Sequence, residues 1–398
     1  MYFKSLIILN TALFIVSCQK LVSPVIPEDE LLVEPIEGLT SDELDRFHKG
    51  DEIFNRRFFT DETGLGPYFI ATSCGSCHNG NGKGHPSNAI TRFGQTDSTG
   101  NHYLDLGGPQ LQNRALPGYV PESVPAGLPT MVSVAPINAG LGLLAALTDT
   151  QILANADPFD ADNDSISGVP NRITPKSFFV PQAYHVTIGG KYIGRFGKKG
   201  STVSLLEQVA SAFNQDIGIT SAFIPIEPGI INYTVNTEEV SLTDVLNVEF
   251  FLRTLRPPVQ RNQTDSDVIA GRQLFTDIKC VKCHISEWTT GPNDIAALSY
   301  KTFYPYTDLL LHDMGPGLDD GYTEGTALTS EWRTPALWGL GLAKRAQGGT
   351  YFLLHDGRAH SIEEAILAHG GEAYLAKELY HGLSKDDKEK LIKFLESL

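Results

Sequence analysis

"SCGSCHNGNGKGHP", residues 73–86, places two cysteines and two histidines in a short polar stretch. Such a frame suits a disulfide turn, half of a zinc site, or an attachment point for a porphyrin. The core of it, Cys74-Gly-Ser-Cys77-His78, recurs in the same frame as Cys280-Val-Lys-Cys283-His284. The chain has five cysteines, so the two pairs and Cys18 exhaust the supply and leave none for a structural disulfide. The repeated histidine separates the readings. A zinc ribbon uses four cysteines and needs no histidine directly after each pair. A redox disulfide needs one pair, beside a thioredoxin-like pattern that is absent. On one porphyrin edge, two thiols add across the two vinyl groups, and the next residue's imidazole reaches the iron from the proximal face. Cys74, Cys77, Cys280 and Cys283 are therefore read as covalent attachment points for two c-type haems, with His78 and His284 as axial iron ligands.

Each motif is preceded by a matching phrase, Gly50-Asp-Glu-Ile-Phe54 and Gly271-Arg-Gln-Leu-Phe275, which marks an internal repeat of a small helical unit. Between the copies, Ser241 and Asp244 open a helix whose face carries Val245, Val248, Leu252 and Leu255 until Pro257-Pro258 stops it. The expected fold is mostly α, with two cytochrome-c-like haem domains. Residues 40–256 form the first, enlarged by long Gly- and Pro-rich loops. Residues 266–398 form the second, closed by an amphipathic helix from Lys385 to Leu398.

What a haem does depends on the face opposite the proximal histidine. In "SIEEAILAHGG", Ser361 and Glu364 resemble a capping box, Gly370 ends the helix, and Ile362, Ile366 and His369 share one face. His369 is a candidate axial ligand of the second haem; a satisfied core histidine is the alternative. Met314 competes for the same position, and Met131 is a candidate over the first haem because few alternatives lie in its domain. His85 follows His78 too closely to cross the haem face, and His355 is expected to make a structural hydrogen bond.

The first eighteen residues place Lys4 before an apolar run from Leu6 to Val16, too short to span a bilayer and shaped as a secretory signal. Ser17-Cys18 resembles a bacterial lipobox, so residues 1–18 are expected to be a lipoprotein signal with Cys18 lipidated; residues 19–39, rich in proline and acid, read as a tether. The lipid would be the sole membrane attachment. This implies the bacterial cell envelope, facing the periplasm or on the outer-membrane surface. A formal net charge of −16 argues against nucleic-acid binding, which needs a basic face.

The segments "GLGPYFIATSCGSCHNGNGKGHP", "GGPQLQNRALPG", "GRFGKKG", "QDIGITS", "EWRTPALWGLG" and "LLHDGRAHSIEEAILAHGGEA" together resemble the di-haem oxidoreductase family of peroxidase-like proteins, also called thiol oxidoreductases, over about residues 45–398. That family is distantly similar to bacterial di-haem cytochrome c peroxidases. The resemblance puts His369 where the peroxidases carry the second ligand of their electron-transferring haem. It makes Gln208 and Asp216 the counterparts of the residues that assist O–O cleavage over the first haem; a solvent-facing residue and a helix end are the alternatives. It implies electron entry at the second haem from a redox partner protein, and reduction of hydrogen peroxide or another oxidant at the first. Two departures stand out: Lys198 replaces the family's tryptophan between the haems, leaving Phe196 as the nearest aromatic, and Ala145 replaces a frequent glutamate. A non-catalytic di-haem electron carrier is the alternative function, and haem-dependent oxidation of a thiol or protein substrate a third.

"DPFDADNDSISG" spaces Asp160, Asp162 and Asp164 as a calcium loop does, although Ser165 stands where such loops turn on glycine and no acidic twelfth residue follows. Calcium and an acidic surface turn are both open readings.

Overall fold

The computed structural model describes Pro27 and residues 30–94, 109–226 and 238–398. The signal segment and Cys18 lie outside the described residues. The long elements are helices: α1 (Ser41–Asn55), α2 (Leu205–Gln215), α3 (Leu242–Thr254), α4 (Ser266–Asp277), α5 (Ile362–Leu367), α6 (Tyr374–His381) and α7 (Lys385–Ser397). The strands described form two-stranded antiparallel ribbons. Two of them bear on the site. In one, β1 (Ile90–Phe93) pairs with β2 (Thr130–Ser133), Arg92 opposite Met131. In the other, β3 (Leu311–Asp313) pairs with β4 (Glu331–Arg333), His312 opposite Trp332. The fold is thus mainly helical, with long loops between helices.

The sequence repeat has a geometric meaning. A Cβ on Gly50 of α1 would lie 2.2 Å from the Asn247 carbonyl and 2.5 Å from Phe251 Cβ of α3. A Cβ on Gly271 of α4 would lie 2.2 Å from the Lys390 carbonyl and 2.7 Å from Phe394 Cβ of α7. Each glycine lets two helices cross with their backbones nearly touching. One turn on, Phe54 and Phe275 each pack on the partner helix's phenylalanine, at 5.4 Å from Phe251 and 5.5 Å from Phe394. Gly50→Ala and Gly271→Ala are each expected to cost about 1–3 kcal/mol, because the helices must part to admit the methyl. A lowered urea midpoint with haem content retained checks this.

Ser241 caps α3 as expected, accepting from Asp244 N–H at 3.0 Å, and Ser361 caps α5 by accepting from Glu364 N–H at 3.0 Å. Glu364 does not return to Ser361; its carboxylate accepts from His360 N–H at 2.6 Å, so the box is shifted by one residue. α5 ends at Leu367, leaving His369 just beyond the helix rather than on its last turn.

The largest apolar core joins α1, α2 and α3 through Phe47, Phe213 and Phe251, and also takes Trp288, Leu310 and Trp338 from the C-terminal half. A second core gathers Val268, Phe275, Leu391 and Phe394. A third, small one holds Met131, Leu318, Tyr322 and Trp332. Residues 30–39, expected to belong to a tether, are instead packed on this body: Ile36 N–H donates to Thr254 O at 2.7 Å, and Asn81 Nδ2 donates to Leu32 O at 3.0 Å. Leu32 and Ile36 give the stretch its apolar anchors, which its proline and acid content masked. Among the described residues, no helix is long and apolar enough to cross a membrane.

Candidate functional site

Each C-x-x-C-H folds as a single tight turn. Ser73 caps the first, and His78 N–H returns to Cys74 O at 3.0 Å; His284 N–H returns to Cys280 O at the same 3.0 Å. Both turns sit against the repeated phenylalanines with matching geometry. Phe54 and His78 lie 6.1 Å apart at 55°, as do Phe275 and His284. The helix crossing therefore fixes the phenylalanine, and the phenylalanine supports the histidine.

His78 Nδ1 lies 2.9 Å from Pro136 O, and His284 Nδ1 lies 2.9 Å from Tyr306 O. A carbonyl only accepts, so Nδ1 carries the proton in each and Nε2 keeps its lone pair, as a metal-ligating histidine requires. His369 has the same arrangement, Nδ1 donating to Ala365 O at 2.7 Å. Burial pushes His78 and His284 down to about 4 and also lowers His369, so all three are neutral near pH 7. His369 is close enough to His284 to disfavour its protonation further.

The four motif thiols are unpaired with one another. Burial pushes Cys74, Cys77 and Cys280 up to about 12 and raises Cys283. That is the reverse of a redox-active pair, whose attacking thiol is lowered. Both motifs line one continuous cavity of about 990 Å³ together with His369, Met314, Gln208 and Asp216. Single small-molecule pockets run to roughly 300–1,000 Å³, so this space is large for one ligand. Buried thiols three residues apart, a neutral imidazole beside each pair and a shared apolar cavity fit two haems.

Asp216 ends α2, and its carbonyl accepts from Ile70 N–H at 2.7 Å and Ala71 N–H at 3.0 Å, tying that helix end to the segment leading into Cys74. Burial raises its carboxyl to about 6 against the opposing effects of Gln110 and Arg92. Gln110 Nε2 donates to Asp216 Oδ1 in a short hydrogen bond. Arg92 Nη1 in turn reaches Gln110 Oε1 at 3.5 Å, and Arg92 Nε pairs with Glu324 at 2.6 Å. Gln208 lines the same cavity from α2. Met131 also lines it, opposite Arg92 across the ribbon, and Met314 packs beside the small core of Met131 and Trp332.

Several residues here carried no reading in the sequence. Gln110 and Arg92 reach Asp216 from loops and strands remote in the chain. His312 is held between Asp308 at 2.8 Å and Glu372 at 2.6 Å, with its Nδ1 3.6 Å from Cys283 Sγ. Burial opposes its charge, but these partners prevail and its proton affinity is well above the usual. Trp332 stacks on His355 at 3.7 Å and 11°, with Lys199 Nζ 3.8 Å from its ring. His355 also accepts a structural hydrogen bond at its carbonyl, from Val134 N–H at 2.8 Å. His85 caps the turn Pro86–Asn88 through Ser87 and stands apart from the cavity wall. In the acidic loop, oxygens of Asp157, Asp160 and Asp162 lie within 4.8 Å of one another. Asp164 turns away to Lys282 at 2.6 Å, which fastens the loop to the second motif.

The family model described as "Di-haem oxidoreductase, putative peroxidase" matches residues 133–398, a span that contains the second motif and begins after the first. No curated protein matches the chain. Among solved structures, hydrazine synthase of Kuenenia stuttgartiensis is 14% identical with a TM-score of 0.41, each chain covered over 100% of its length. A MauG-like protein associated with microbial copper homeostasis is 18% identical with a TM-score of 0.32, over 72% of this chain and 94% of that one. Neither likeness is close enough to bear on this chain's chemistry. The matched span holds two thirds of the residues, including His284, His369 and Asp216, and the chain belongs to the di-haem oxidoreductase family.

Proposed function

We propose that the chain is an exported, lipid-anchored di-haem c oxidoreductase of the bacterial cell envelope that reduces hydrogen peroxide or a similar oxidant. Cys74, Cys77 and His78 would hold one haem in residues 40–256, and Cys280, Cys283, His284 and His369 the other in residues 266–398. The haems supply iron that takes up electrons singly and binds the oxidant. Electrons would come from a redox partner protein to the site of Cys280, Cys283 and His284, and the oxidant would be reduced at the site of Cys74, Cys77 and His78.

The observation that carries this reading is Asp216, a buried carboxyl in the cavity beside Cys74 and Cys77, raised to about 6. Reduction of peroxide consumes two electrons and two protons and releases two waters. As a carboxylate, Asp216 takes a proton from the incoming peroxide; as the acid, it returns one to the departing oxygen. Gln110 orients the carboxylate, and Gln208 offers a neutral amide to the same space. A carrier of electrons alone needs no buried acid at this position.

The test is turnover of the full chain carrying both haems, with a small reduced donor and peroxide. Peroxide-dependent oxidation of the donor supports the proposal. Rapid haem reduction and reoxidation through added redox proteins, with no turnover of peroxide, would establish the electron carrier instead. Under acid and organic extraction both haems should stay with the polypeptide; their release would contradict the covalent assignment.

A further inference from the structure

Three cations meet in the cavity. Lys83 comes from the turn after the first motif, Lys198 from the loop before α2, and Arg333 from β4, and all three line the space between the motifs. Arg333 N–H donates to Lys198 O at 3.0 Å and its Nε donates to Gly197 O at 3.0 Å, so the loop and the strand are fastened together. Burial pushes Lys198 well below its usual range, Lys83 and Arg333 push it further, and Asp356 alone opposes them. Asp356 is itself paired with Arg358 at 2.6 Å.

The next residue shows what a lysine satisfied by protein looks like. Lys199 Nζ donates to the carbonyls of Leu328, Thr329 and Glu331 at 3.1, 2.9 and 3.0 Å, and has Asp320 at 3.6 Å. Lys198 has no such set. Its ammonium makes no hydrogen bond or ion pair among the described residues. Lys83 reaches one carbonyl, Leu354 O at 3.3 Å. Arg333 spends Nε and Nη1 on carbonyls and leaves Nη2 to the cavity.

The trio also spans both sites. Lys198 lies close enough to His78 to disfavour its protonation. Arg333 lies in the field of Asp308, which also acts on His284. Cations that outnumber nearby carboxylates and line a shared cavity with donors left unspent suit carboxylate ligands.

We propose that Lys83, Lys198 and Arg333 form a carboxylate clamp between the two motifs that would hold haem propionate groups. The clamp rests on the presence of two haems and not on peroxide reactivity, so its test and that of the function above fail separately. Paired with carboxylates, Lys198 regains the proton that burial and its cationic neighbours disfavour, and the positive charge then favours the reduced iron, which carries one positive charge fewer.

The experiment is a spectroelectrochemical titration of the full chain with both haems, comparing wild type with Lys198→Met, Lys198→Arg and Lys83→Met, alongside resonance Raman spectra of the propionate bending bands. Lys198→Met is expected to shift the reduction equilibrium of at least one haem about tenfold toward the oxidised form, which is 59 mV for a one-electron couple. Lys198→Arg should restore most of that shift, and the propionate bands should move in the methionine variant alone. Lys83→Met should shift in the same direction, and it decides the matter should Lys198→Met fail to load haem. Unchanged potentials and propionate bands in the haem-loaded methionine variants would overturn the clamp. So would wild-type potentials that follow added acetate in a Lys198-dependent way, since a free carboxylate would then be the occupant.

Discussion

Asp216→Asn lowers peroxide turnover by about 10²–10⁴-fold, the range of a lost general acid–base group, with both haems still attached and their spectra unchanged. Asn keeps the shape and can still hydrogen-bond Gln110, so a merely structural aspartate would tolerate it. The pH dependence sharpens the distinction. Burial raises the Asp216 carboxyl to about 6, with Gln110 and Arg92 pulling the other way. Cys74 and Cys77 beside it carry no titratable proton once they are joined to haem as thioethers. The proton-accepting form is therefore lost as pH falls through about 6. Wild-type kcat should fall on that limb, and the limb should be absent in the variant. Gln110→Leu should steepen the loss at neutral pH, because removing a hydrogen bond to the charged form raises the carboxyl still further.

His369→Ala converts one of the two haems from low-spin to high-spin in the oxidised protein, through loss of its second axial ligand. The basis is threefold: Nδ1 is tied to Ala365 O, the ring lines the cavity, and it acts on His284. Met314 reaches the same cavity and supplies the control. If Met314 is the ligand, Met314→Ala produces the change and His369→Ala does not. A histidine ligand also sets a lower potential than a methionine, so the second haem should titrate in the range of bis-histidine ligation.

What was legible in the sequence is what local chemistry demands. Two thiols and an imidazole at short spacing close one tight turn in each copy, and Gly50 with Phe54, or Gly271 with Phe275, recur one helical turn apart to let helices cross and brace the histidine. The mainly helical fold and the family follow from those demands. Contacts made across the chain leave no such trace. Gln110 meets Asp216 from 106 residues away, and Gln347 holds the Gly84 carbonyl from 263 residues away. Lys198 and Lys199 are adjacent and identical in type, yet one is satisfied by four protein oxygens and the other faces the cavity. Residues 30–39 read as a tether because their proline and acid content outweighed two apolar anchors, whose value depends on where Thr254 and Asn81 stand. In the acidic loop, Asp157 joins Asp160 and Asp162, while Asp164 and Asp162 also reach Lys282, a contact across the chain that even spacing does not encode.

In the proposed enzyme one haem is open to the oxidant while the other is closed by two histidines. The most direct test is the absorption and electron paramagnetic resonance spectrum of the half-reduced full chain before and after one equivalent of peroxide. One high-spin haem whose signal changes on addition, and one low-spin haem that then becomes oxidised, are expected. Two low-spin haems, neither responding to peroxide, would contradict this.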